Sequence, residues 1–404
     1  MAEFASQNMP IYSAEIRSNS AGEIELVKRN EFMCLPRRTC NKSPTNPLVW
    51  KSHEHNVTGT DLVVLEVEAG GVTGSFAAIE QWLQKWRDFE FAISPLAHWI
   101  LHHSPIAKHA DHWPKKEIHN EVIPGFTQIP LLSPTLPPAK HTNTYLVGDD
   151  SFVVVDPATY EDTERAKLGR IIDARLESGS KLSAILLTHH HADHYGAAQW
   201  VREHYNRPII AHPVTRDLLR DRVQIEKTLD EGDFIDLGKD RFGRPFGLKV
   251  YFTPGHAPGH IVLADLRPNS NSMVVGDMVA AVGTIIVDPD EGDMGDYMNQ
   301  LQRLDQMSPC CLFPAHGPPI PNGPKKLQQY LRHRQAREEL VLSAVDSLSP
   351  ANLETIVSEA YRDTPKQLHP LAQRSCLAHL NKLEKEGKIS IHSGVYIKKP
   401  AYLS

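Results

Sequence analysis

The run Thr188-His189-His190-His191-Ala192-Asp193-His194 stands directly behind four apolar residues, Ala184-Ile185-Leu186-Leu187, and no other segment constrains the fold as tightly. Four apolar residues in succession read as a buried strand. Titratable side chains crowded at the end of such a strand cannot be buried without partners, so they must line a cleft or hold an ion. Alternate residues of an extended loop point the same way, so His189 and His191 can share one metal ion. Asp193 and His194, where the helical stretch HYGAAQWVREHY begins, can serve a second. The spacing is not the His-Glu-x-x-His of a helical zinc site. It belongs to a loop leaving the carboxyl end of a strand, where an α/β sheet carries its ligands and catalytic groups. An internal run behind an apolar strand also lacks the terminal placement of a purification tag.

Three further strand ends supply what two ions would still need. LKVYF is followed by Thr253-Pro254-Gly255-His256-Ala257-Pro258-Gly259-His260, SMVV by Gly276-Asp277, and CCLF by Pro314-Ala315-His316-Gly317. Each puts an imidazole or carboxylate in a Gly- or Pro-shaped turn that can aim a side chain into a cleft. One Gly-Asp or one histidine alone is usually just a turn or a satisfied side chain. Four such ends in a chain with 22 histidines make a pattern. Strands mixed with helices over about 200 residues indicate an α/β domain.

With these motifs in order (HHHADH, TPGH, GD and AHG), the sequence resembles the metallo-β-lactamase superfamily. The resemblance implies an αββα sandwich over residues 121–323. It implies that His189, His191 and His256 hold one metal, that Asp193, His194 and His316 hold the other, and that Asp277 bridges. Imidazole and carboxylate donors suit Zn²⁺, and also Fe or Mn. Two such ions about 3.5–4 Å apart can share a hydroxide that is nucleophilic at neutral pH. Asp193 is expected to orient that hydroxide as well as bind, which makes it the catalytic candidate. His260 is expected either behind the ligands, supporting them, or facing the substrate. Asn143, in the strand TNTYLVG, is expected to line the cleft or to serve a structural role; His190 is expected to point away.

The C-terminal segment YRDTPKQLHPLAQRSCLAHLNKLEKEGKI resembles the small winged-helix domain of the β-lactamase-like protein 2 group. Leu368, Leu371, Cys376, Leu380 and Leu383 read as the apolar face of a helix, and GKISIHSGVYIKK reads as a hairpin turning at Ser393-Gly394. Residues 324–404, the expected winged-helix domain, carry 13 Lys and Arg against 8 Asp and Glu, a small excess in a chain of net charge −6. So small an excess favours a domain that shapes the cleft over one that grips nucleic acid.

Residues 1–120 are expected to form an N-terminal extension. SPLAHWI resembles the end of a Nudix-type domain, yet no glutamate-rich Nudix box accompanies it, so the extension reads as degenerate Nudix-like and non-catalytic. LVVLEVE, from Leu62, reads as a strand, and Phe76, Ile79, Leu83 and Trp86 read as one face of a helix. Histidines 98, 102, 103, 109, 112 and 119 have no ligand spacing and read as a solvated or rim segment. Trp82, Trp86, Trp99 and Trp113 are four of the six tryptophans, and this extension is expected to cover the sandwich or form a homo-oligomer contact.

No apolar run approaches the roughly 18–20 residues that cross a bilayer. The first residues lack a basic region followed by an apolar block, and the five cysteines include no Cys-x-x-Cys. A cytoplasmic protein with no membrane partner is the expectation. The functional expectation is a dinuclear metal-dependent hydrolase using a metal-bound hydroxide on a small-molecule acyl substrate: a thioester, ester or lactone. The alternatives are a single-strand endoribonuclease, which would bring nucleic acid to the C-terminal domain, and a non-enzymatic winged-helix regulator.

Overall fold

The computed structural model describes residues 120–399 apart from 138, 268–269 and 282–283, together with the backbone of four strands nearer the N-terminus. The chain divides into two units, Met1–Ala92 and Ile93–Ser404. Within the first, β1 (Ala14–Ser18), β2 (Ile24–Lys28), β3 (Pro47–Lys51) and β4 (Val64–Ala69) form a sheet of order β2-β1-β4-β3. β4 is the strand expected in LVVLEVE. The helix expected around Phe76–Trp86, the histidines from His98 to His119 and the four tryptophans lie outside the described residues.

The second unit is built on two sheets. The first has seven strands: β5 (Asn120–Ile123), β6 (Phe126–Leu132), β7 (His141–Gly148), β8 (Ser151–Val155), β9 (Lys181–Leu186), β10 (Ile209–Ala211) and β11 (Ile225–Thr228), hydrogen-bonded in reverse chain order. β7 and β8 are almost wholly buried, as strands covered on both faces must be. Between them the chain turns at Asp149-Asp150. The second sheet has five strands in chain order: β12 (Phe234–Lys239), β13 (Pro245–Phe252), β14 (Ile261–Asp265), β15 (Met273–Gly276) and β16 (Leu312–Pro314).

The inner faces meet in one core, where Phe126, Tyr145, Val153 and Leu186 pack against Phe246, Leu248, Leu263 and Phe313. The outer face of the first sheet is covered by α1 (Asp162–Glu177), α2 (Ala192–Tyr195) and α3 (Ala198–Tyr205), through Leu168, Ile172, Tyr195 and Val201. The outer face of the second is covered by α5 (Met294–Gln306), which follows α4 (Pro213–Leu219), and by the first turns of α6 (Gly323–Leu348). Helices on both outer faces and apolar side chains between the sheets make this the expected αββα sandwich.

Strand direction places the functional ends together. β13 and β15 are both antiparallel to β14, and β16 is parallel to β15. Three strands of the second sheet therefore end at the same edge, carrying His256, Asp277 and His316.

The far end of α6 enters a separate core with α7 (Leu353–Ala360), α8 (His369–Lys385) and a small sheet of β17 (Ala351–Asn352), β18 (Ile389–His392) and β19 (Val395–Lys398). This is a winged helix, and Ser393 and Gly394, both at positive φ, form the two-residue turn of the wing. Cys376, Leu380 and Leu383 are buried as expected, whereas Leu368 and Leu371 are 48% and 39% exposed. Leu368 precedes the helix, so the periodicity does not reach it; Ala372 and Ala378 are buried instead. One 26-residue helix thus serves two cores, with Leu327 and Tyr330 in the sandwich and Val341, Ala344 and Val345 in the winged helix. Among the described residues no helix is long and apolar enough to cross a membrane.

Candidate metal centre

At the end of β9 the chain is anchored before it reaches the histidines. Thr188 donates its backbone N–H and its hydroxyl to the two carboxylate oxygens of Asp156, at 2.7 and 2.6 Å. Asp156 ends β8 in a left-handed conformation, φ 49°, and is 2% exposed. The buried carboxylate ties neighbouring strand ends together and fixes where the loop from His189 begins.

Five imidazoles then point inward, and each is held from behind by its other nitrogen. His189 Nδ1 meets the Thr188 hydroxyl at 3.0 Å, and His256 Nδ1 donates to the Ile286 carbonyl at 2.7 Å. His191 Nε2 meets Glu291 at 2.6 Å, His194 Nδ1 meets Asp156 at 2.9 Å, and His316 Nδ1 lies 3.3 Å from the His141 carbonyl. Partners of this kind select the tautomer and leave the inner nitrogen's lone pair free.

The inner nitrogens form two groups. His191 Nδ1 lies 3.0 Å from both His189 Nε2 and His256 Nε2. Four ligands at about 2.0–2.1 Å from a tetrahedral zinc would stand roughly 3.3 Å apart, so this spacing needs little adjustment. Burial pushes His189 well below the usual imidazole range, and His256 to about 4. Both are therefore neutral at physiological pH and able to donate lone pairs. The second group is Asp193, His194 and His316, with His194 Nε2 3.8 Å and His316 Nε2 3.5 Å from the Asp193 carboxylate.

Asp277 stands between the groups. One of its oxygens is 3.5 Å from His256 Nε2 and 3.8 Å from His194 Nε2; the other is 3.4 Å from His316 Nε2. Burial opposes its charge, but His316 and His194 hold the carboxyl well below its ordinary range. Conversely, burial opposes protonation of His194 and His316, yet the surrounding carboxylates raise both, Asp193 first for His194 and Asp277 first for His316. His194 Nε2 and Asp277 Oδ1 are buried without a hydrogen-bond partner. Orphaned donor and acceptor atoms are uncommon in a folded interior and call for an explanation. Set among the imidazoles and carboxylates that converge here, they fit a divalent ion.

The backbone at Asp277 depends on its neighbour. Gly276 has φ 47°, and a Cβ there would lie 2.7 Å from His260 Nε2. His260 is fully buried, with Nδ1 2.8 Å from the Thr253 hydroxyl and Nε2 accepting from the Asp277 N–H at 3.1 Å. Of the two places expected for it, these hydrogen bonds put it behind the ligands, with both its nitrogens used in positioning the Asp277 turn. Asn143 likewise has the structural setting of its two expected roles. It is 3% exposed, and its amide nitrogen donates to the carbonyls of Pro314 and Gly317 at 2.9 and 2.7 Å. Its position secures the strand end that carries His316. His190 points away from the inward groups and meets Glu291 at 2.8 Å.

Asp156, Thr188, Thr142 and Glu291 were missed from the sequence. VVVDP carried a signal for Asp156, since an acid closing a buried strand needs a partner. Thr142, 3.3 Å from Asp193, and Glu291, about a hundred residues from His191, carried none.

Residues 137–316 match the metallo-β-lactamase superfamily, and residues 353–396 match the β-lactamase-associated winged helix domain. Fold, site and these matches together make residues 137–316 a metallo-β-lactamase domain, of a superfamily of metal-dependent hydrolases, followed by its associated winged helix. Its relatives include a β-lactamase-like protein 2 homolog of Drosophila melanogaster, 28% identical over 273 residues (64% of this chain, 87% of the relative). A homolog of the same name from Caenorhabditis elegans is 25% identical over 61% of this chain and 80% of the relative. Among solved structures, a β-lactamase domain protein from Burkholderia ambifaria shares the fold, with a TM-score of 0.60 and 23% identity over 72% of this chain and 96% of that one.

Proposed function

We propose that the chain is a dinuclear hydrolase of small acyl substrates: thioesters, esters or lactones. In this reading His189, His191 and His256 hold one ion, Asp193, His194 and His316 hold a second, and Asp277 lies between them. The observation that carries it is the pair of orphaned atoms, His194 Nε2 and Asp277 Oδ1, at the meeting of the two groups. Zinc suits three imidazoles at this spacing, and iron or manganese would accept the same donors. Bound there, such ions would supply an activated water and polarise the substrate carbonyl.

The protein's own residues supply orientation and proton handling. Asp156 holds the His194 ring through Nδ1, so Nε2 faces the centre. Thr142 donates to Asp193 Oδ2 at 3.3 Å, leaving Oδ1 free to orient a water molecule and take its proton. No cysteine joins the centre among the described residues: Cys311 and Cys376 are buried elsewhere, and burial pushes both thiols up to about 12. This arrangement supports direct attack by water rather than a cysteine-linked acyl-enzyme.

Two features support a small substrate over RNA. Among the described residues, the segment from Asp277 to His316, only about 40 residues long, forms one helix and one short strand, too short for an inserted domain that could clamp a polynucleotide. Lys382 and Lys385 on the face of α8 are paired with Glu338 and Asp293 and so are not free for phosphates. The test is metal analysis of the purified chain, with thioester, lactone and single-stranded RNA substrates assayed in parallel. About two ions per chain and turnover of an acyl substrate support the reading. Turnover of RNA alone would replace it with an endoribonuclease.

A further inference from the structure

The segment from Ile285 to Asp293 touches both the first group of histidines and the winged helix. On its inner side, the Ile286 carbonyl accepts from His256 Nδ1 at 2.7 Å, and the Glu291 carboxylate spans His190 and His191 at 2.8 and 2.6 Å. The Asp293 N–H donates to the Gly255 carbonyl at 2.8 Å, beside His256. On its outer side, Arg374 of α8 holds Asp288, with Nε at 2.9 Å from one oxygen, and reaches Asp290 at 2.6 Å. Lys385, on the same helix, pairs with Asp293, and Arg334 of α6 donates to the Ile285 carbonyl. Ile285 and Val287 are buried in the outer core of the second sheet, which roots the segment.

We propose that this segment is a strap through which the winged helix holds the first metal site in register, with Glu291 as its positioning residue. The inference rests on the metal reading above and goes beyond it, because it gives the C-terminal domain a role in the centre without contact to substrate. His191 is the imidazole that needs such a device. It is half-buried and presents Nδ1 inward, and the partner at its outer nitrogen Nε2 helps fix that orientation. Glu291 supplies it, and the conformation of Glu291 depends on a segment clamped at Asp288, Asp290 and Asp293 by one helix face.

The test is a cobalt(II) titration of the metal-free full-length chain, followed by its visible absorption, with thermal melting as a control for folding. Glu291→Gln keeps the size of the side chain but removes its charge; it should weaken the first cobalt equivalent roughly 10–100-fold and spare the second. Arg374→Ala should weaken the same equivalent by about three- to tenfold, through a residue that never touches the ion. Because Arg374 acts through Glu291, the double variant should titrate like Glu291→Gln alone. An unchanged Glu291→Gln beside normal binding by the parent overturns the strap, as does strict additivity of the two substitutions. A parent that takes up no cobalt, or a His256→Ala variant that binds both equivalents normally, overturns the metal reading and the strap with it.

Discussion

Each inward imidazole uses one nitrogen for the centre and the other for a fixed partner, so substitutions near the site should separate chemistry from binding. Asp193→Asn removes a proton acceptor but leaves His189, His191 and His256 and their partners intact. Its turnover should fall about 10²–10⁴-fold, while metal content at the first site, measured by elemental analysis, stays near the parental level. Near-normal turnover in that variant would mean that Asp193 does not orient the water. Asp156→Asn acts from behind. The amide can still accept from Thr188 but no longer offers a charged partner to His194 Nδ1, so affinity for one ion should drop roughly 10–100-fold. At Gly276, alanine would meet His260 and would have to adopt a positive φ. Gly276→Ala should therefore cost about 1–3 kcal/mol in chemical denaturation, and an unaltered midpoint would show that the turn relaxes freely.

At the scale of elements, the docking of α8 on the strap has an electrostatic signature. Hydrogen bonds from Arg374 lower the Asp288 carboxyl below its ordinary value, and Asp293, paired with Lys385, is lowered as well against the opposing effect of burial. A carboxyl whose folded value lies below its unfolded value, about 3.9, stabilises the fold above that pH. The contribution is lost as pH falls from about 4 through the folded values. Melting temperatures of the parent and of Arg374→Ala, measured from pH 6 to pH 3, should therefore differ at pH 6 and converge as the pH drops below 4. The gap should be small, because Asp288 and Arg374 are each about a third exposed and screened by water. A gap that widened in acid would contradict the assignment.

For the whole molecule, α6 prevents a clean division between sandwich and winged helix. A chain ending at Gly323 loses Leu327 and Tyr330 from the outer core of the second sheet, and with Tyr330 the hydroxyl that pairs with both backbone groups of Ala280. Such a truncation should be insoluble or melt well below the full chain, even though every residue of the candidate metal centre is still present. Metal removal should act on the same scale. Ions bound to the folded state alone stabilise it by about 2.7 kcal/mol at one hundred times their dissociation constant. Dialysis against a chelator should accordingly lower the melting temperature, and restoring zinc should raise it again; identical melts would argue that the centre holds no ion.

The strands themselves and the candidate residues at their ends were legible because both are local. An apolar run predicts a buried strand, a Gly- or Pro-shaped turn ends it, and His189, His191, His194, His256, Asp277 and His316 declare themselves as donors at those ends. The wing at Ser393-Gly394 was legible for the same reason, since a two-residue turn between alternating strands needs positive φ. What the sequence could not determine was which side of a side chain faces the centre. The sequence leaves His260 and Asn143 open between cleft and framework, and only packing puts their nitrogens against Thr253, Asp277, Pro314 and Gly317. Asp156 and Glu291 gain their roles from partners 38 and 100 residues away. Distance along the chain carries no information about such pairs. They form only when the two sheets close, bringing their strand ends to one edge, and buried polar atoms must then find partners or an ion.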